Sequence, residues 1–392
     1  MISQIVLLLG LPGLFAIKTM IGFPKALIYM VIFLIFLGDM NFKNLLLFNL
    51  RVNITYLFWL SLVLLFLLEY FLTNQNNTRQ LVSLLVILGL IFILLSQNKN
   101  NFEKINEKNL LKVLIIVSSI SVIFTAVSTP LDTNYWLQKG GRLYVGDTEN
   151  PLIVSWTSGL NIIFILYYLF KYKLKYAIAI SLIGMILLSM YIYLLSFSKS
   201  SILGILLIAI YFIRKIGLRK ILIKKVTYIM IILSISIFII FREQFVNIYK
   251  LLTLSVNSLL YNTGEILSAD IRHENFKNTF VKYFTSDNFW GWGINSFRMD
   301  SPILQIIVDF GYFIGSLYVL FFFILPLVLI FYKIKTKKIE LKEEIAIMIY
   351  LFFLPNFLFH GTPYEYIIWI PVIFFFCFVK FPKIIVWRKN YV

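Results

Sequence analysis

The sequence predicts an all-α, polytopic transmembrane helix bundle of about twelve spans, with a long outer-face loop between the ninth and tenth spans. Three observations predict it. Of 392 residues, 60% are hydrophobic and only 14% are charged, with a mean hydropathy of +0.89, a composition that soluble domains do not carry. Apolar runs such as 56–72, 81–96 and 110–128 lack amphipathic periodicity and are long enough, at about 1.5 Å rise per residue, to cross a hydrocarbon core roughly 30 Å thick. The basic residues fall in clusters at 99–112, 171–175, 214–225, 333–342 and 380–389, spaced so that alternating spans bring them to one side.

The first apolar run, 2–17, lacks the charged start and small-residue cleavage site of a signal peptide and reads as helix one. Lys18 and Lys25 fit the charge alternation least and would suit a re-entrant pair of helices one and two. With Lys43 and Arg51, the five clusters hold about 24 of the 36 Lys and Arg residues, which marks their side as cytoplasmic. Both termini then lie in the cytoplasm, and the outer loops are 18–25, 73–79, 129–150, 196–200, 242–302 and 360–365. The net charge of +18 would suggest nucleic acid in a soluble protein; here it reads as topology, and no nucleic-acid partner is expected. No internal repeat or linker appears, so residues 1–392 read as a single integral membrane domain. The single Cys377 excludes an internal disulfide framework and a cysteine metal cluster.

In the outer loop 129–150, Asn150-Pro151 supplies an N-cap and a first-turn proline for helix six, with Arg142 above that start. Arg142 alone reads more readily as a surface charge than as a ligand. The next outer turn holds Ser198-Lys199-Ser200, and the apolar stretch 199–213 is only about 22 Å long as a helix. Lys199 is therefore recessed toward the membrane, where a lysine needs an anion or a polar cavity, and no carboxylate shares its turn.

The loop 242–302 is too long to be a plain connection. It carries Phe276, Phe280 and Phe284 at four-residue spacing, then Phe289, Trp290, Trp292 and Phe297, the composition of a packed lid lying on the membrane. Ser268 can cap a helix on which Arg272 faces the headgroup layer; the plainer reading is lipid snorkelling or a pair with Asp270 or Glu274. Gly291 and Gly293 permit tight turns. The following stretch, 303–332, has one charge, Asp309, and exceeds what a bilayer needs, which places Asp300 and Asp309 at or above the outer interface. Gly311 and Gly315 read as a helix-packing GxxxG, with Asp309 a structural hydrogen-bonding group beside it.

His273 and His360 are the only histidines, and metal-spaced carboxylates, a Walker loop, a Rossmann fingerprint and GxSxG are all missing. Neither a metal nor a cofactor is expected.

Taken in order, Arg142 with Asn150-Pro151, Ser198-Lys199-Ser200, Ile271-Arg272, Gly291-Trp292-Gly293, Asp300-Ser-Pro-Ile-Leu and Asp309-Phe-Gly-Tyr-Phe-Ile-Gly resemble the O-antigen polymerase and ligase family over about residues 140–320. The resemblance implies a bacterial inner-membrane glycosyltransferase that acts at the periplasmic face on polyprenyl-pyrophosphate-linked oligosaccharide. It implies no nucleotide sugar or metal; membrane lipid and a protein regulator of chain length are the further partners. Two departures stand out. Lys199 occupies a position where many members have arginine, which keeps the charge but loses bidentate geometry. Asp300 stands near where ligases carry histidine, which favours polymerase over ligase. On this reading Arg142, Lys199 and Arg272 bind the pyrophosphate, and Asp300, or else His273, takes the acceptor proton. Trp290, Trp292 and Phe297 stack on sugar faces or anchor the loop at the interface. A transporter or flippase of lipid-linked sugars would have the same composition, marked by internal repeats and broken helices near the midplane.

Overall fold

The structure is a computed structural model that describes residues 2–22, 24–47, 50, 54–72, 78–97, 106–138, 143, 145, 151–196, 198–217, 290–294, 299, 301–336 and 339–380, with isolated positions between 228 and 278. The described residues form helices and no strand: α1 (Ile2–Ile21), α2 (Lys25–Asp39), α3 (Phe42–Leu46), α4 (Ile54–Leu72), α5 (Thr78–Ser96), α6 (Glu107–Ser128), α7 (Thr133–Gln138), α8 (Pro151–Lys171), α9 (Tyr176–Ser196), α10 (Lys199–Ile216), α11 (Pro302–Val319), α12 (Leu325–Thr336), α13 (Leu341–Phe359) and α14 (Tyr366–Phe378). A π-helical turn, Leu320–Ile324, joins α11 to α12. Hydrocarbon offers the backbone no hydrogen bonds, so such a sequence satisfies its N–H and C=O groups within helices.

Among the described residues, seven elements are long and apolar enough to cross a membrane: α1, α4, α5, α6, α8, α9 and the joined Pro302–Thr336. This is the pattern of a multi-pass membrane protein. The apolar helices α2 and α14 are shorter, at 15 and 13 residues. Local chemistry sets several boundaries. Asn106 caps α6 by accepting from the Lys108 and Asn109 amides at 3.1 and 3.3 Å. Pro151 and Pro302 open α8 and α11, and Glu340 with Glu343 forms a capping box on α13.

Helices in lipid associate through close packing and interhelical hydrogen bonds. The central helix, α8, is buried along nearly its whole length among α1, α6, α9 and α10. On it, Asn161 accepts from Ser118 and Ser119 of α6 and donates to Ser189 of α9 at 2.9 Å. Pro12 opens a turn of α1, and neighbours satisfy the groups it frees: the Gly13 amide donates to Ser121 Oγ at 2.7 Å and the Leu9 carbonyl accepts from Thr157 at 3.2 Å.

The basic residues converge. Lys215 pairs with Glu344, Lys333 with Glu343, and Lys380 and Lys342 with Glu340 at 2.6 and 3.3 Å. Glu344 also accepts from Tyr167, whose hydroxyl accepts from Lys171 at 3.1 Å, and Lys108 lies 5.1 Å over the Tyr172 ring. The ends of α8, α10, α12 and α14 and the starts of α6 and α13 thus meet at one end of the bundle, called here the basic end. Gly10 faces Val117 and Gly13 faces Ser121, so α1 runs parallel to α6 and also begins at the basic end.

The stretch 303–332 is not one straight helix. Gly311 has φ +79°, a left-handed conformation, and the chain turns there so sharply that Ile307 packs on Gly315. Gly315 does permit a close approach, as a packing glycine should, but to the preceding segment of its own chain. Gly311 is the turn and not part of a packing motif. Helix α10 runs past the apolar stretch 199–213 to Ile216 and holds Arg214 and Lys215 in its last turn.

Candidate functional site

At the end away from the basic cluster, three helices are drawn together by two glycines. Gly159 of α8 and Gly204 of α10 both meet Phe352 of α13: a Cβ on Gly159 would lie 2.6 Å from the Phe352 ring, and one on Gly204 would collide with the Phe352 carbonyl oxygen. Tyr193 of α9 closes on Gly159 from another side. Helix α13 runs opposite to α8 and α10. One turn further from the basic end, four residues along each helix, Ser155, Ser200 and Asn356 therefore share a level.

That level is polar and buried. Ser200 Oγ donates to Asn356 Oδ1 at 2.7 Å, and Trp156 Nε1 donates to the same oxygen at 3.2 Å. An indole N–H only donates, so Asn356 must turn its oxygen toward Trp156 and its amide nitrogen the other way. Asn356, Ser155 and Ser201 are fully buried and Ser198 and Ser200 nearly so. Among the described residues, Asn356 Nδ2, Ser155 Oγ and Tyr193 Oη have no hydrogen-bond partner. Ser198 caps α10, accepting from the Ser201 amide at 3.4 Å and from Ser201 Oγ at 2.9 Å. Helix α10 thus begins at Lys199, as the Ser198-Lys199-Ser200 motif suggests, beside this layer and with its positive dipole end toward it. The position of the Lys199 backbone is described; its side chain lies outside the described residues.

The loop after α6 comes to the same place. Trp136 Nε1 donates to the Pro130 carbonyl at 2.6 Å and Tyr191 to the Leu131 carbonyl at 2.7 Å, folding α7 onto α9. Leu143, the residue after Arg142, is buried and its amide donates to the Leu195 carbonyl at 2.9 Å, three residues before Ser198.

A second arrangement sits at the Gly311 turn. The turn frees the Val308 and Asp309 carbonyls, which accept from the Trp292 and Gly293 amides at 2.8 and 3.1 Å. Gly291 and Gly293 have φ near +89° and +86°, so the tight turns expected of them are present. The segment 290–294 is thereby strapped to α11, with Trp290 exposed and Trp292 half-buried. Asp309 is fully buried and accepts from Gln305 at 2.8 Å and from Tyr364, the structural role its surroundings in sequence suggest. Burial, then the Asp309 charge, hold the Tyr364 phenol well above its ordinary range, so it remains the donor.

Of the residues singled out in the sequence, Lys199, Trp290 and Trp292 are placed as above. Arg142, Arg272, His273, Phe297 and Asp300 lie outside the described residues. The glycine contact and the strap involve different elements. Sequence reasoning missed Ser155, Trp156, Tyr193, Asn356, Gln305 and Tyr364. A usable signal existed for Asn356, a lone amide in the apolar run of α13 directly after Pro355. Among the described residues no group of three or more His, Cys, Asp or Glu is arranged to hold a metal ion. No protein-family model, curated protein or solved structure matches this chain.

Proposed function

We propose that this chain is a membrane glycosyltransferase that polymerises polyprenyl-pyrophosphate-linked oligosaccharide repeat units at the periplasmic face of a bacterial inner membrane, for O-antigen, capsule or exopolysaccharide. The observation that carries the reading is the start of α10 at Lys199, set beside a buried layer with unpartnered donors at the end away from the basic cluster. By the excess of Lys and Arg, the basic end and both termini are cytoplasmic. The twelve-span reading of the sequence then puts the long loop 242–302 on the outer face.

Chemistry at that face follows from the charges. The acceptor sugar hydroxyl attacks the anomeric carbon of the donor, the C–O bond to pyrophosphate breaks, and the leaving polyprenyl pyrophosphate takes the bonding pair. Arg142, Lys199 and Arg272 stabilise the charge that grows on it. Asp300, with His273 as the alternative, receives the proton of the attacking hydroxyl, a contribution of about 10² to 10⁴ in rate. Trp290, Trp292 and Phe297 hold sugar faces or anchor the loop.

One observation favours a transporter of lipid-linked sugars: the helix broken at Gly311. Gly311 lies 22 residues before Lys333, about 33 Å along a helix, which puts the break near the far end of the bundle and not at its middle. Its freed carbonyls are already engaged by Trp292 and Gly293.

Incubating the purified protein with a lipid-linked repeat unit decides among the readings. A ladder of lengthening lipid-linked products supports the polymerase; transfer of one chain to a different acceptor indicates the ligase; neither product, with the unit moved across a bilayer, indicates the transporter.

A further inference from the structure

The lysines of the basic end divide into two sets. Glu340, Glu343 and Glu344 at the start of α13 take up Lys215, Lys333, Lys342 and Lys380. Lys108 and Lys112 of α6, and Lys173 and Lys175 of the turn between α8 and α9, are exposed, and among the described residues none of them pairs with a carboxylate. The start of α6 adjoins that turn, because Lys108 Nζ lies 5.1 Å over the Tyr172 ring, which packs in turn on Tyr168 at 4.9 Å. Like charges four residues apart on a helix repel, and Lys108 and Lys112 are so spaced. Lys108 also stands in the first turn of α6, at the positive end of the helix dipole. Glu107, the one acidic residue of that turn, acts on Lys171 and Tyr172. The two lysines are therefore unfavourable to the fold on their own and favourable to an anion.

What continues along the helix selects the partner. Helix α6 is long and apolar enough to cross a membrane, and Ile116, Ile120, Ile123 and Val127 form a stripe along it, each between 44% and 66% exposed. Lys112 heads that stripe one turn before Ile116, and Lys108 stands a further turn back. In a bilayer the stripe is covered by lipid tails. The distance from Lys112 to Val127 is about 22 Å of helix, less than the roughly 30 Å of a hydrocarbon core, so Lys112 starts at the edge of the tails. Side chains on a helix lean toward its N-terminus, and the Lys112 ammonium thus reaches toward the level of Lys108, where headgroups lie. A molecule that suits both features has an apolar tail on the stripe and a negative head at the two ammonium groups. An acidic peptide would meet the lysines alone and leave the stripe to other molecules.

We propose that Lys108 and Lys112 hold the phosphodiester head of an anionic phospholipid whose tails lie along the exposed stripe of α6, with Lys173 and Lys175 adding to the positive field. Tyr172 keeps the Lys108 ammonium in place over its ring. Asn106 already occupies the Lys108 and Asn109 amides, so side chains and not the helix start receive the head. The lipid joins α6 to the turn between α8 and α9, a junction that no ion pair between described residues secures. The inference is independent of the polymerase reading, and none of its probes carries a sugar.

The test measures binding to the purified full-length protein in a neutral detergent, with phosphatidylglycerol, phosphatidylcholine and the deacylated head glycerophosphoglycerol as three separate probes. Phosphatidylglycerol is expected to bind more tightly than phosphatidylcholine, and the head without tails far more weakly than the lipid. Lys108→Gln and Lys112→Gln should each weaken phosphatidylglycerol about fivefold, and the double variant about 30-fold, the factor expected of one and of two lysines beside an anionic headgroup. Lys112→Arg keeps the charge and should bind as the wild type does. Lys335→Gln removes another exposed lysine, in the last turn of α12, and should leave the affinity unchanged. Without added phosphatidylglycerol, Lys112→Gln should melt at or above the wild-type temperature, since a repelling pair is gone, which separates loss of a lipid contact from loss of fold. Equal affinity for the two lipids, or wild-type affinity in the double variant, overturns the proposal. An equal loss in Lys335→Gln also overturns it, because the lysines then act only as diffuse charge. So does a deacylated head that binds as tightly as the lipid, because the occupant is then a free phosphate ester.

Discussion

The buried carboxylates of the basic end and the buried amide and hydroxyls beside the start of α10 are met differently. At the basic end, Glu343 and Glu344 are buried, and each is matched: Glu343 by Lys333 and the Lys380 amide, Glu344 by Lys215 and Tyr167. At the far end, Asn356, Ser155 and Tyr193 are buried with hydrogen-bonding groups that nothing among the described residues meets. Helices α8, α10 and α13 take part in both. A polar group that is matched within the fold serves to join helices, whereas one left unmatched carries a stability cost. On the proposed function the first end serves stability and the second chemistry, and each assignment can be broken.

The largest expected effect is on stability at the basic end. Glu343→Ala leaves the Lys333 ammonium, 10% exposed, without its carboxylate, and should cost about 3–5 kcal/mol. Thermal unfolding of the purified protein measures it. Replacing both partners, Lys333→Met with Glu343→Leu, should recover most of the loss, because the penalty belongs to the stranded charge. A Glu343→Ala variant that melts normally would remove the basic end's role in holding α12 to α13.

Next in size is the removal of a charge-assisted contact proposed for the outer face. Lys199→Ala, and likewise Arg142→Ala and Arg272→Ala, should reduce chain growth by the equivalent of about 1.5–3 kcal/mol each while the melting temperature stays near wild type. Lys199→Arg should retain most activity, since the charge is kept. Equal losses of melting temperature and of product would show that the far end is structural too, and the contrast would disappear.

A smaller effect lies in the strap. Gly291 has φ +89°, and a Cβ there would lie 2.5 Å from the Asp309 carbonyl oxygen, so Gly291→Ala should release the segment 290–294 at a cost of about 1–3 kcal/mol. Faster protease cleavage after Trp290, with α8, α10 and α13 still protected, is the expected result.

The smallest concerns pH. A hydrogen bond from Lys380, first, holds the Glu340 carboxyl below its ordinary 4.5. A carboxyl whose folded value is depressed contributes fully above that ordinary value, and its contribution is lost as pH falls through the folded one. The pair is half-exposed and screened, so acidification should lower stability by less than about 1 kcal/mol from this source, and Lys380→Ala should flatten that part of the profile.

How much of this was legible in the sequence depended on whether the signal was local. Helix starts at Pro151, Lys199 and Pro302 followed from capping chemistry within a few residues, and the convergence of the basic clusters followed from the alternation of apolar runs. Asp309 read correctly as a structural group because it lies beside two glycines. The turn at Gly311 was misread, since GxxxG describes both a packing face and a site where the backbone may leave the helix, and only the approach of Ile307 and the strap from Trp292 distinguish them. The polar layer was invisible for another reason. Ser155, Ser200 and Asn356 are separated by up to 201 positions in the chain, and they meet only because Gly159 and Gly204 let α8 and α10 close on Phe352.

The most direct test of the account is the sidedness of chain growth. The protein is reconstituted into vesicles whose orientation is read by labelling a cysteine placed at Gly217, at the end of α10 on the basic end, and a short-chain lipid-linked repeat unit is added only outside. The account predicts a product ladder in vesicles that expose the far end, marked by external labelling of a cysteine at Asn134, and none in those that expose Gly217. A ladder from the Gly217 side, or uptake of the unit without any chain growth, would contradict it.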